Sequence, residues 1–311
     1  MGVRHFAGQA AGWPCLLACL VASAALLLGV PSAAEGQDEA DAGAPTSAQV
    51  SAAAAAAANG AGHAMRPRPS ARARAPFDIT GYWVSLVTQN WRYRMIVPGH
   101  GDYAGIPINA KAKRFADAWR AAADIAAGRQ CEAYGAPALM QDPERLHILW
   151  QDDETLRVDT DEGMQTRLLR FRPAASDAPA DGRTDGPTDG PTDGPTASSL
   201  QGDSQARWAL SAVANSLNRA PEPNARLYGS LVVITGHLMP GLLRKNGIPY
   251  GVGARMTEYW KLHALGAAQW LLISTKMTDP EYLAAPYVYD SIFQKQADGS
   301  GWDPSPCSLT S

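Results

Sequence analysis

Short runs of β-branched and aromatic residues, each closed by turn residues, recur from Pro76 onward and constrain this chain more than any other feature. They fall at residues 80–88, 91–96, 146–150, 155–159, 165–172, 207–211, 231–237, 256–262, 270–277 and 288–295. In 91–96 the aromatic and Met side chains alternate with Arg92 and Arg94, the pattern of a half-buried strand. One helix interrupts the runs. Asn109 is placed to cap it, Phe115, Trp119, Ala122 and Ala126 share one face, and Gly128 is placed to end it. The fold class expected is therefore all-β with one helix, as an antiparallel up-and-down β-barrel whose closure leaves no exposed edge. A two-sheet sandwich is the alternative.

The barrel domain is expected over 76–311, interrupted at 174–203 by Asp/Gly/Pro/Thr-rich chain that repeats Thr-Asp-Gly-Pro from Thr184 to Pro195. Such material reads as a disordered insertion in one loop. Upstream, Ala-, Pro- and Arg-rich residues 35–75 have too little apolar surface to order themselves and read as a linker. Residues 1–34 have the form of a secretory signal, with Arg4 before an apolar run and Ser32-Ala33-Ala34 before Glu35. Cleavage near Ala34 puts the working protein in the periplasm or outside the cell. Leu16-Leu17-Ala18-Cys19 also resembles a lipobox. Membrane contact is expected only through a lipidated Cys19 or the basic residues of the linker.

The formal net charge is −3, which argues against a nucleic-acid partner. Loss of the signal removes Cys15 and Cys19 and leaves Cys131 and Cys307, which an oxidising compartment would join as one disulfide. No Cys-x-x-C pair, phosphate loop, zinc helix or nucleophile elbow is present, so no metal and no cofactor is expected.

Gly81-Tyr82-Trp83 resembles the Gly-x-Trp opening of lipocalin-type barrels, in which the Trp closes the barrel floor against a basic residue from a late strand. The wider text also resembles a family of secreted bacterial proteins of unassigned function. The stretches that carry this likeness include Arg145-Leu146-His147, Arg244-Lys245-Asn246-Gly247-Ile248-Pro249-Tyr250, Thr257-Glu258-Tyr259 and Asp279-Pro280-Glu281-Tyr282-Leu283. The resemblance implies a lipocalin-like barrel over about residues 77–307 and carries no catalytic residue with it.

Strand alternation aims some polar side chains at a barrel lumen. His147, Arg167, His237 and Glu258 are the candidates: around one cavity, the Arg would bind an anionic group and a His-Glu pair would move a proton. The competing reading makes Arg167 and Glu258 an ion pair that locks the barrel. Trp83 and Trp150 belong to an aromatic set that packs the core or lines a pocket. The expected function is binding of a small apolar or amphipathic ligand in the barrel. Alternatives are a cofactor-free hydrolase or isomerase of the interior, and a structural envelope protein.

Overall fold

A computed structural model describes residues 68–172, 198–212 and 227–310. The expected signal with Cys15 and Cys19, most of the linker and the Thr-Asp-Gly-Pro repeats lie outside the described residues.

Nine strands close into a barrel: β1 (Gly81–Leu86), β2 (Arg145–Asp152), β3 (Thr155–Thr160), β4 (Thr166–Arg170), β5 (Asp203–Ala212), β6 (Leu227–Gly236), β9 (Arg255–Leu265), β10 (Ala268–Thr278) and β11 (Tyr287–Lys295). Between β6 and β9 the chain leaves the barrel wall to form a two-stranded hairpin, β7 (Gly241–Arg244) and β8 (Ile248–Tyr250). The barrel order is β1-β11-β10-β9-β6-β5-β4-β3-β2, closing back on β1. An odd number of strands cannot alternate direction all the way round, so closure demands a parallel seam. It falls between β4 and β5, where Leu169 and Arg170 pair with Ser204 and Gln205. The other seams are antiparallel, so the up-and-down pattern holds everywhere but there. A parallel join needs a long crossover. β4 and β5 are consecutive in the chain, and 32 residues separate Arg170 from Asp203.

Inward side chains form three layers. Trp83, Leu146, Ile148, Leu156, Val158, Leu169, Val233, Trp260, Ile273 and Phe293 belong to one apolar cluster, and Met256, Met277, Tyr287 and Tyr289 to another. Moving two residues at a time along β9, β10 and β11, the chain passes from the first cluster to the second through one buried polar side chain: Glu258, Thr275 and Ser291. Arg167, Ser204 and Thr235 are likewise buried, and they complete a polar belt across the interior.

The folded body starts earlier than Pro76. Ala71 is fully buried in the first cluster; its N–H donates to Glu154 Oε1 (3.0 Å) and its carbonyl accepts from Trp208 Nε1 (2.9 Å). Around it, Phe77, Phe171, Trp150 and Trp208 pack ring against ring, with centroids 5.2–5.6 Å apart. Residues 199–203, assigned to the insertion from sequence, are likewise built into the fold, and Asp203 is buried between Arg170 and Arg172.

Two local expectations are corrected. Residues 91–96 are not a strand: α1 (Trp91–Met95) is a short helix with no buried residue, entered through Asn90 in the left-handed region (φ 53°). The alternation was real, but β1 already pairs with β11 on one edge and β2 on the other, so no edge remains to receive another strand. The single helix is two. α2 (Ala110–Ala118) is capped as expected, Asn109 Oδ1 accepting from the N–H of Lys111 and Ala112, but Trp119 is extended and the chain restarts as α3 (Ala121–Ala126). The face α2 buries carries Ala112 and Ala116, while Phe115 is exposed. A short α4 (Ala136–Leu139) follows. Cys131 and Cys307 are joined, with sulfurs 2.05 Å apart across a separation of 176 residues.

Candidate functional site

The structure brings together only part of the set that sequence proposed. Arg167 and Glu258 meet in the polar belt as a two-pronged pair, Nη1 to Oε1 at 3.1 Å and Nη2 to Oε2 at 2.6 Å, with both side chains wholly buried. Burial opposes the guanidinium charge, but Glu258 outweighs it and holds Arg167 above the ordinary arginine value. Nη2 also reaches Thr235 Oγ1 at 3.4 Å. Such a pair neutralises itself and locks β4 to β9 across the interior. Neither histidine joins it. His147 alternates with the buried Leu146 and Ile148 and lies on the opposite face of β2, stacked on Tyr82 (4.2 Å, 4°) and edge-on to Trp302. His237 follows β6 with φ 52°, and its Nδ1 is buried without a hydrogen-bond partner among the described residues.

Trp83 is fully buried, donates from Nε1 to the Ile79 carbonyl (2.9 Å) and carries Lys295 Nζ 4.6 Å above its ring. That is the late-strand cation which the Gly-x-Trp resemblance implied. Lys295 also hydrogen-bonds the Thr80 carbonyl and lies against Gly81, whose φ of 103° favours glycine. Trp150 belongs to the aromatic closure around Ala71.

The clefts are elsewhere, and three of them share the β7–β8 hairpin as a wall. The first, of about 170 Å³, is lined by Tyr93, Arg94, Asp142, Leu243, Arg244 and Lys245 among others. A second, of about 470 Å³, has four aromatic walls, Phe115, Trp119, Tyr250 and Tyr282, completed by Met239 and Leu242. A third of about 500 Å³ lies between them along Val97, Trp119, Lys245 and Asn246. None of the six side chains proposed from sequence lines any of these. The hairpin could have been found: Asn246-Gly247, shortly after Leu242-Leu243 and directly before Ile248, is a turn signal, and Gly247 takes φ 93° there. Asn246 then ties the turn to the preceding loop, Nδ2 donating to the Asp102 carbonyl at 2.7 Å.

The hairpin region is electrostatically unlike the barrel. Lys245 Nζ lies 3.7 Å from Asp142 Oδ2, 3.5 Å from Glu162 Oε1 and 4.6 Å above the Tyr134 ring. Burial would lower Lys245, but Asp142, Tyr134 and Glu162 together raise it. Burial pushes the Asp142 carboxyl up to about 6 against the pull of Lys245. Glu144, almost fully buried with both oxygens unpartnered among the described residues, is driven well above the carboxylate range by burial and by Asp142, Asp161 and Glu162.

Tyr250 is the orphan of the aromatic pocket. It is buried, its hydroxyl has no hydrogen-bond partner among the described residues, and burial raises it far beyond titration, so it remains a donor. Gly135 and Gly241 fix its place: a Cβ at either would overlap the hydroxyl oxygen. Among the described residues no cluster of His, Cys, Asp and Glu is arranged to hold a metal. No family model, curated protein or solved structure matches the chain, so fold and site geometry carry the functional argument.

Proposed function

We propose that this protein binds a small amphipathic molecule in the aromatic pocket beside the β7–β8 hairpin, with a lipocalin-like barrel as its scaffold. The observation that carries the reading is a pocket of about 470 Å³ in which the rings of Phe115, Trp119, Tyr250 and Tyr282 are joined by charged side chains. That volume lies within the roughly 300–1,000 Å³ usual for small-molecule sites, and aromatic and apolar walls with a small number of polar groups are the usual lining. The apolar part of the ligand would rest against Phe115, Trp119, Tyr282 and Met239, and its polar end would meet the charged side chains of the same lining, Arg120, Arg129 and Glu132. The barrel interior is a poorer host, because its charges are already paired and its two apolar clusters flank the belt. Lys295 over Trp83 supports the lipocalin-like reading, and the Cys131–Cys307 bond supports a working place outside the reducing cytoplasm.

The test is native mass spectrometry of the full chain from its own host, with denaturing extraction of whatever it retains, followed by titration with the neutral apolar probe N-phenylnaphthylamine. The expected result is a retained small molecule, or saturable probe binding, that weakens at least about tenfold in Phe115→Ser with Met239→Ser. Those side chains are 44% and 45% exposed, so the fold should survive the change. Empty protein that also fails to take up the probe, or binding indifferent to both substitutions, overturns the reading.

A further inference from the structure

Arg94 and Arg244 share one cleft, that of about 170 Å³, as half-buried cations. Neither forms an ion pair among the described residues. Neutral groups hold them instead. Arg94 donates from Nε to the Gln141 carbonyl (2.5 Å) and from Nη2 to Ser85 Oγ (3.3 Å). Arg244 donates from Nη1 to the Ala104 carbonyl (2.9 Å) and lies 4.8 Å over the Tyr93 ring.

We propose that this cleft is a second binding site, one that takes the oxyanion end of a small molecule, a carboxylate or a phosphate. The argument is one of uncompensated charge. Removing a cation from water is costly unless an anion meets it, and here two guanidiniums are held by carbonyls, a hydroxyl and a ring, none of which carries a negative charge. Burial accordingly lowers both below the ordinary arginine value. The cleft's own carboxylates, Asp142 and Glu162, are ion-paired with Lys245; the field of Asp142 also reaches Arg94, and that of Asp102 reaches Arg244, but neither pair is within ion-pair distance. Glu144 is also within the field of Arg94, but its buried, unpartnered carboxyl favours the neutral form. The cationic side chains Arg94, Arg244 and Lys245 therefore outnumber the carboxylates Asp142 and Glu162 by one in the lining.

Guanidinium is suited to such a ligand, because its planar fork matches the two oxygens of a carboxylate or phosphate. The forks are also held by existing hydrogen bonds, which lowers the ordering cost of binding. At about 170 Å³ the cleft suits a small acid or a phosphate group better than a large amphiphile. Met95, Val97 and Leu243 offer the carbon part an apolar surface. The site is independent of the aromatic pocket, and either can fail without the other.

The experiment is an NMR titration of the full, disulfide-bonded chain, following arginine Nε–H signals, with inorganic phosphate in one arm and acetate or benzoate in another. Sodium chloride at matched ionic strength is the control. The expected result is a saturable response with a dissociation constant at or below about 1 mM, weakened at least about tenfold in Arg94→Gln and in Arg244→Gln. Arg92→Gln, which removes an exposed side chain paired with Asp102, should bind as the parent does. Saturation by phosphate alone or by carboxylate alone identifies the source of the oxyanion. A linear response equal to that of chloride overturns the proposal, as does saturable binding that survives both glutamine substitutions. Should Arg94→Gln fail to fold, Arg94→Lys and Arg244→Lys retain the charge without the fork, and full affinity in both would overturn a two-guanidinium site.

Discussion

The barrel interior and the hairpin region bury charge in opposite ways. In the interior, Arg167 and Glu258 satisfy each other through two hydrogen bonds inside a belt of hydroxyls. Its remaining orphans are Arg167 Nε, Thr275 Oγ1 and Trp260 Nε1, all of them parts of neutral or already paired groups. Around the hairpin, among the described residues, the Tyr250 hydroxyl, both oxygens of Glu144 and one of Asp142 have no hydrogen-bond partner, and Arg94 and Arg244 form no ion pair, although the fields of Asp142 and Asp102 reach them. A scaffold can close its own polar groups; a site leaves some for what arrives. The contrast is the reason the proposed site is placed in the excursion from the barrel wall and not in the wall's interior.

The largest expected effect tests the closed half of that comparison. Glu258→Gln leaves the buried Arg167 uncompensated and should cost about 3–5 kcal/mol in urea denaturation, whereas Arg167→Met with Glu258→Leu should recover most of it. Parent-like stability in the single variant would show that the interior is not self-satisfied. Reduction, or Cys307→Ser, comes next. The bond fastens the C-terminal segment beneath the hairpin region, and its loss is expected to cost about 2–5 kcal/mol, read as a melting shift with and without reductant.

A third prediction concerns the open half. Asp142 and Glu144 bind protons more tightly folded than unfolded, so the stability they contribute is whole below the ordinary Asp value of 3.8 and fades as pH rises through about 6. For Asp142 that loss is on the order of 3 kcal/mol. Asp142→Asn should therefore be the more stable protein at neutral pH, with the difference closing toward pH 4; parallel pH profiles would remove Asp142 from the argument. Smallest is Tyr250→Phe. With no partner to lose, the hydroxyl can go at a cost below about 1 kcal/mol, or with a small gain, and a larger loss of stability would reveal a bond the structure does not show.

Much of the wall was legible because a strand writes period two into sequence. The runs at 146–150, 155–159, 256–262 and 270–277 lie within strands, and Asn109 caps a helix where expected. Arg167 and Glu258 were also legible as charges too deep to stand alone. The helix at 91–95 was not, since its alternation suits a strand and only the two paired edges of β1 forbid one. Trp83 and Lys295 lie far apart in sequence, and it was the resemblance of Gly81-Tyr82-Trp83, not any pattern between the two, that anticipated their contact.

What the sequence by itself determined is the set of elements and their chemistry: an all-β texture, one cysteine pair outside the leading segment, and a few strand-borne charges. These follow from local rules, because which face a side chain takes depends on its nearest neighbours along the strand. Tertiary structure decided the rest. Closure with nine strands forced one parallel seam, pairing consumed Arg167 and Glu258, and His147 was turned to the outside. The excursion of residues 237–254 gathered Arg94, Asp142, Trp119 and Tyr282 around one hairpin. Such convergence joins residues distant in the chain, and no local pattern encodes a distance that only packing sets.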